Sequence, residues 1–239
     1  MKSSKEVWAV IPARSGSKGF KDKNIAPLLD IPLLAHSINF AGKLRFVDRI
    51  IISTDSKKYA DIAETYGAEV PFLRGAIASS DKAMEEDVLW DIKKNCDLLD
   101  IEYPQSIVWL RPTYPLRSKK SFDDAILLHK KTKEAVCVVV EDDARLFIER
   151  DGMLKSVLSN FDDNSMVRRQ DCPKAYRIFA GEVFNFPLEF NKKFLGNDWA
   201  HVVMPRECAF DIDDEMDLVN LESLIKLKED KYKKYLHTD

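Results

Sequence analysis

The chain has 239 residues, of which 45% are hydrophobic and 32% charged, with a formal net charge of −3. That length suits one large domain with a full core, and the slight acidity excludes a general nucleic-acid binder, which would show a basic excess. No apolar run approaches the ~20 residues of a membrane helix, so no membrane partner is expected.

The first predicted element is a strand at Val7–Ile11, reached too soon for a signal peptide. It stops at Pro12-Ala13-Arg14-Ser15-Gly16-Ser17-Lys18-Gly19, with Lys23-Asn24 close behind. Glycine lets backbone approach an oxyanion, and loop amides with Lys and Arg heads then point at it. The loop is neither a Walker A sequence nor Gly-x-Gly-x-x-Gly. Taken alone, it reads either as a phosphate cradle or as a solvated turn.

A helix is predicted over Pro32–Lys43, a buried strand over Asp48–Thr54, a helix over Ser56–Tyr66 ended by Gly67, and a short strand at Val70–Leu73. Ala83–Leu99 reads as a helix with Met84, Val88, Leu89, Ile92 and Cys96 on one stripe. Ser106–Leu110 is a strand, Lys119–Lys131 a helix and Val136–Val140 a strand. Continuous apolar strands alternating with amphipathic helices predict an α/β domain, its central sheet mostly parallel and covered by helices. Ligands of such sheets bind beyond the carboxyl ends of the strands. Arg14–Asn24, Thr54-Asp55 and Arg111–Arg117 fall at those ends.

From Glu141 to Tyr176 the rhythm breaks. A hairpin around Asp151-Gly152 precedes a polar stretch from Asp162 to Lys174. Residues 141–176 read as an inserted arm suited to a dimer contact. Strands at Val183–Phe186 and Val202–Met204 and a helix over Glu215–Lys228 complete a single domain over 1–239. Cys96, Cys137, Cys172 and Cys208 are scattered, as in reduced cytoplasmic proteins. The histidines have neither metal spacing nor a triad context.

In Phe210-Asp211-Ile212-Asp213 an extended chain puts Asp211 and Asp213 on one face and Ile212 in the core. Two such carboxylates repel unless a cation lies between them, and Mg²⁺ with phosphate oxygens fits. The alternative is capping of the following helix by Asp213 or Asp214, which leaves Asp211 unexplained. Arg111-Pro112-Thr113-Tyr114-Pro115-Leu116-Arg117 is a stiff turn that releases two arginines, either functional or, for Arg117, solvated. Arg168-Arg169-Gln170 is a further cationic cluster or a solvated surface. Arg74 is an anion contact or a surface charge.

These pieces together resemble the CMP-nonulosonate synthetases, the acylneuraminate cytidylyltransferases. The matching segments are Ile11-Pro12-Ala13-Arg14-x-Gly16-Ser17-Lys18-Gly19 with Lys23-Asn24; Ile51-x-Ser53-Thr54-Asp55; Pro112-Thr113-x-Pro115-Leu116-Arg117; Arg168-Arg169-Gln170-Asp171-x-Pro173-Lys174-x-Tyr176; and Asp211-Ile212-Asp213-x-Glu215-x-Asp217. They run in family order across most of the chain.

The resemblance implies a Rossmann-like nucleotidyltransferase with a dimerisation arm, a homodimer that joins CTP to a 2-keto-3-deoxy sugar acid. It implies a nucleotide site of Ala13, Arg14, Ser15, Gly16, Lys18, Lys23, Asn24, Arg74 and Ala83. Within that site Arg14 and Lys18 hold the triphosphate, Lys23 supports it, Asn24 meets the ribose, and Arg74 and Ala83 lie near the cytosine. Asp211 and Asp213 are implied as Mg²⁺ ligands, and Arg169 and Gln170 as contacts to the sugar acid. Arg14, Lys18, Asp211 and Asp213 carry the catalysis in this reading. Another nucleotidyltransferase of the same fold, or a non-catalytic nucleotide-binding descendant, are the rival expectations.

The chain departs from the sialic-acid pattern on the sugar side. Arg111 stands where many members have Gln, Glu85 matches a Ser, and Ala180-Gly181-Glu182-Val183-Phe184 replaces Asn-Gly-Ala-Ile-Tyr. Arg111 is therefore expected to face the sugar and, because an unpaired buried arginine is costly, to pair with Glu182, Glu85 or a substrate group.

Overall fold

The structure, a computed structural model, describes residues 4–16, 19–157, 168–188, 195–196 and 198–237. Strand β1 (Val7–Pro12) enters the loop read above as a phosphate cradle, whose Ser17 and Lys18 lie outside the described residues. A two-residue ribbon, β2 (Pro27–Leu28) and β3 (Ile31–Pro32), turns through Leu29 and Asp30, both at positive φ. Then come α1 (Leu33–Gly42), β4 (Arg49–Ser53), α2 (Lys57–Thr65), α3 (Glu85–Leu99), β5 (Ser106–Trp109) and α4 (Lys119–Thr132). Ser56 caps α2 by accepting from Tyr59 N, and Gly67 at φ +87° turns the chain away after it.

Strand β6 (Val136–Asp142) leads into a hairpin, β7 (Phe147–Arg150) and β8 (Met153–Ser156), joined by Asp151 at φ 56° and Gly152 at φ 74°. Paired left-handed residues of this kind match the twist of a tight hairpin. The predicted arm residues from Leu158 to Val167 lie outside the described part. The chain returns as β9 (Ala175–Asn185) and β10 (Ala200–Val203), and ends in α5 (Glu215–Leu227) and the short α6 (Glu229–Tyr232).

The sheet runs β10-β6-β9-β5-β1-β4. Pairs β1–β4, β1–β5 and β6–β10 are parallel, and only β9 runs antiparallel to its neighbours β5 and β6. The expected mostly parallel α/β sheet is present. Alternation along β1 sorts the core: Val7, Ala9 and Ile11 pack with α1 and α4, whereas Trp8 and Val10 pack with α3. Each fully buried Leu or Ile, such as Leu34 and Ile38 of α1, contributes about 1.5–3 kcal/mol.

Three expectations need correction. Val70–Leu73 forms no strand; the pairing is a single bridge between Glu69 and Ile51, because Pro71 has no N–H to continue it. Met84 is not on the buried stripe of α3 but is its exposed N-cap residue. Strand β9 starts far upstream of Val183, at the base of the arm.

Candidate active site

Four hydrogen bonds fix the loop after β1. Ala13 N donates to Ser53 O, Asn24 Nδ2 donates to Arg14 O at 3.0 Å, and the backbone N and Oγ of Ser15 both bond the Asp55 carboxylate at 2.8 and 3.0 Å. Asp55 lies two residues past the end of β4, so the parallel pairing of β1 with β4 delivers both halves of this clasp to one sheet edge. Arg14 pairs with Asp81 at 2.9 Å. A Cβ built on Gly16 or Gly19 would meet nothing within 4 Å, so the loop faces open space. Lys18 falls among the residues not described.

Across that space lies the segment after Cys208. Ile212 N donates to Thr113 O at 2.9 Å and its side chain is fully buried, which turns Asp211 and Asp213 the other way. Asp213 Oδ1 pairs with Lys23 Nζ at 3.2 Å, linking the carboxylates to the loop. Burial holds the Asp211 carboxyl above its usual pKa, against hydrogen bonding from Thr113 and with further upward pressure from Asp213. Its Oδ1 is buried with no hydrogen-bond partner.

The capping alternative is resolved by the neighbours. Asp214 is the N-cap of α5, accepting from Asp217 N at 2.9 Å, while Asp217 accepts from the Asp214 and Asp213 amides. Capping therefore uses Asp214 and Asp217 and leaves Asp211 and Asp213 free of that duty. No group of three or more His, Cys, Asp or Glu able to hold a metal occurs among the described residues. A carboxylate pair with an orphaned buried oxygen suits a hard cation that takes its remaining ligands from phosphate and water.

The surface-charge reading of Arg74 and the solvated reading of Arg117 are both overturned. Arg74 is buried, neither a surface charge nor presented to open space: Nε donates to Ser53 Oγ at 2.9 Å and Nη2 to Ser53 O, and burial lowers its pKa to about 10. Ala83 is half-buried just before α3, two residues beyond the Asp81 that reaches Arg14. Arg117 is not solvated but wholly buried, lying over the Phe40 ring and donating to Arg111 O.

Arg111 pairs with both carboxylates foreseen for it, its Nη1 on Glu182 Oε2 at 2.8 Å and its Nη2 on Glu85 Oε1 at 3.1 Å. Arg169 and Gln170 are exposed in a short helical turn and line a separate cavity at the arm base with Glu141 and Asp142. They are not brought to the loop within this chain. Asp55 and Asp81 were the loop partners that sequence patterns alone did not assign; the only hint was an acidic residue at the end of a buried strand.

His36 and His129 are structural. His129 bonds Ser106 Oγ and Glu134 O, and His36 bonds Leu28 O. All four cysteines are free. No helix among the described residues is long and apolar enough to cross a membrane.

An open α/β sheet with a glycine-bearing cationic loop near a carboxylate pair is an arrangement suited to a phosphate-bearing ligand and a cation. The chain belongs to the cytidylyltransferase family, whose model matches residues 8–235. It is 33% identical over 216 residues to the N-acylneuraminate cytidylyltransferase of Escherichia coli, covering 89% of this chain but only half, 50%, of that protein's length. It is 32% identical to post-translational flagellin modification protein B of Campylobacter coli, over 93% of this chain and 96% of that one. Identity is 31% to the CMP-N,N'-diacetyllegionaminic acid synthase of Campylobacter jejuni, again over 93% and 96%. Among solved structures, a CMP:2-keto-3-deoxy-manno-octonic acid synthetase complexed with CTP superimposes with a TM-score of 0.65 at 11% identity, covering 93% of this chain and 99% of that one. That likeness shows the shared fold.

Proposed function

We propose that the protein transfers the cytidylyl group of CTP to a 2-keto-3-deoxy sugar acid of the nonulosonate class, giving the CMP-sugar and pyrophosphate. The convergence of the β1 loop and the Asp211–Asp213 pair, joined by the Lys23–Asp213 contact, carries this reading. Family membership and the activities named for the relatives support it.

The anomeric hydroxyl attacks the α-phosphorus in line and pyrophosphate departs, a step that needs positioning and charge stabilisation. Arg14 and Lys18 neutralise the leaving pyrophosphate, Lys23 supports the triphosphate, and the Ser15–Asp55 clasp keeps the loop amides in place. Asp211 and Asp213 would hold Mg²⁺, which would supply positive charge against the phosphates. His36 and His129 take no part, since they are committed to the fold.

The arm presents exposed Leu146, Phe147, Met153, Leu154 and Val157. Such a patch favours a homodimer in which each arm, with Arg169 and Gln170, serves its partner's sugar acid. The altered sugar side (Arg111, Glu85, Glu182) favours an acid other than plain N-acetylneuraminate. Pyrophosphate release from CTP with a panel of nonulosonic and octulosonic acids, with product masses, tests the reading. Absence of turnover with every acid, or equal turnover of another nucleotide, overturns it.

A further inference from the structure

A cavity of about 110 Å³ opens on the α3 side of the sheet. Trp109 of β5, Glu182 of β9 and Cys137 of β6 form one row across three neighbouring strands and wall it. Phe184 and Trp199 complete an apolar lining, and the charged residues on its wall, among those described, are Glu85, Arg111 and Glu182.

Arg111 Nη1 reaches both Glu182 oxygens, at 2.9 and 2.8 Å, and Nη2 reaches Glu85. One guanidinium is thus shared by two carboxylates, so with both ionised the described wall holds one negative charge in excess, and burial, which raises the Glu182 carboxyl above its usual range, makes that charge costly until a cation meets it. Burial, with Glu182 beside it, pushes the Cys137 thiol up to about 12, so it stays neutral and leaves that balance unchanged. The carboxylates retain spare acceptor sites, since each oxygen can take two donors.

We propose that this cavity is the specificity subsite for one substituent of the sugar acid, and that it selects a protonated amine. This rests on the function proposed above. An ammonium brings three donors and the missing positive charge. An N-acetyl group leaves the excess charge unmatched, and a carboxylate is repelled. The volume equals roughly three or four waters at ~30 Å³ each, room for a side group and not for a sugar ring. Glu182 sets specificity, and Arg111 is a positioning residue that holds both acids at the wall.

The test uses one nonulosonic acid scaffold prepared with free amine, N-acetyl or hydroxyl at each nitrogen-bearing carbon. One free-amine form should exceed its N-acetyl counterpart at least tenfold in kcat/KM, mostly through KM. Glu182→Gln should collapse that ratio towards one. Because that variant strips Arg111 of its buried partner and can unfold, Glu85→Gln, on the half-exposed start of α3, is measured alongside, with a severalfold fall in the ratio at unchanged Tm. Equal or better use of the N-acetyl or hydroxyl forms, or a ratio untouched in both folded variants, overturns the proposal. Turnover without amine preference sinks this inference alone; no pyrophosphate release with any acid sinks the cytidylyl transfer as well.

Discussion

Replacing the aspartates around the start of α5 one at a time separates fold from chemistry within four consecutive residues. Asp214→Ala removes the N-cap and its reciprocal bond with Asp217. That should cost about 1 kcal/mol of stability, a fall in Tm of ~2–4 °C for a domain of this size, with kcat nearly intact. Asp213→Asn removes a pairing with Lys23 in which the Asp213 side chain is 78% exposed, so little stability is at stake. Asp211→Asn removes a buried carboxyl with raised pKa, relieving both burial and repulsion from Asp213.

The sign of the pH effect follows. A carboxyl whose folded pKa exceeds its unfolded 3.8 binds more protons in the native state, so its contribution to stability falls as pH rises from about 4 through the folded pKa. At neutral pH, without metal, Asp211→Asn should therefore be as stable as the parent or more so, and should lack that slope. Yet both Asn variants should lose ~10²-fold or more in kcat, the scale of a missing preorganised charge. Urea melts from pH 4 to 8 and Mg²⁺-dependent pyrophosphate release check this. Unchanged Mg²⁺ dependence and kcat in both would refute the metal assignment.

Lys18→Ala should lower kcat/KM for CTP by roughly 10- to 100-fold, since a charge-assisted phosphate contact is worth about 1.5–3 kcal/mol; steady-state kinetics at varied CTP show it. Gly181→Ala should destabilise by ~1–3 kcal/mol in urea, because its Cβ would stand 2.6 Å from the buried Phe122 ring. Leu154→Asp, at a site 74% exposed on the arm hairpin, should yield monomers in sedimentation at micromolar concentration if the arm joins two copies.

The parallel half of the sheet was legible because each strand is a continuous apolar run and each helix carries a buried stripe. Ser56, Gly67 and Asp151-Gly152 announced their turns through side-chain and backbone preferences that hold locally. Strand β9 was half hidden: Tyr176 to Ile178 lie among polar residues, and only pairing with β6 across the irregularity near Val138 makes them a strand. Arg74 and Arg117 defeated local reading for one reason. A guanidinium is buried where distant backbone carbonyls, of Ser53 and Arg111, happen to await it, and composition does not reveal them. The Arg111–Glu182–Glu85 cluster was foreseeable from charge balance, whereas Asp81 as partner of Arg14 comes from loop geometry alone.

The arm leaves the sheet at Asp142 and rejoins it at Ala175, which are directly paired, and Arg177 Nε closes the doorway by donating to Asp142 Oδ2 at 2.9 Å. Everything between those residues can therefore be exchanged as a unit without altering the neighbour of any strand in the main sheet. Arg169 and Gln170 travel inside that unit together with the exposed apolar hairpin. In this architecture the surface by which two copies would meet and the pair of side chains proposed to reach the acid are inherited as one parcel. The nucleotide loop and the Glu182 wall stay behind in the sheet, so a graft of residues 143–174 between relatives would recombine two halves of specificity that a point mutation cannot.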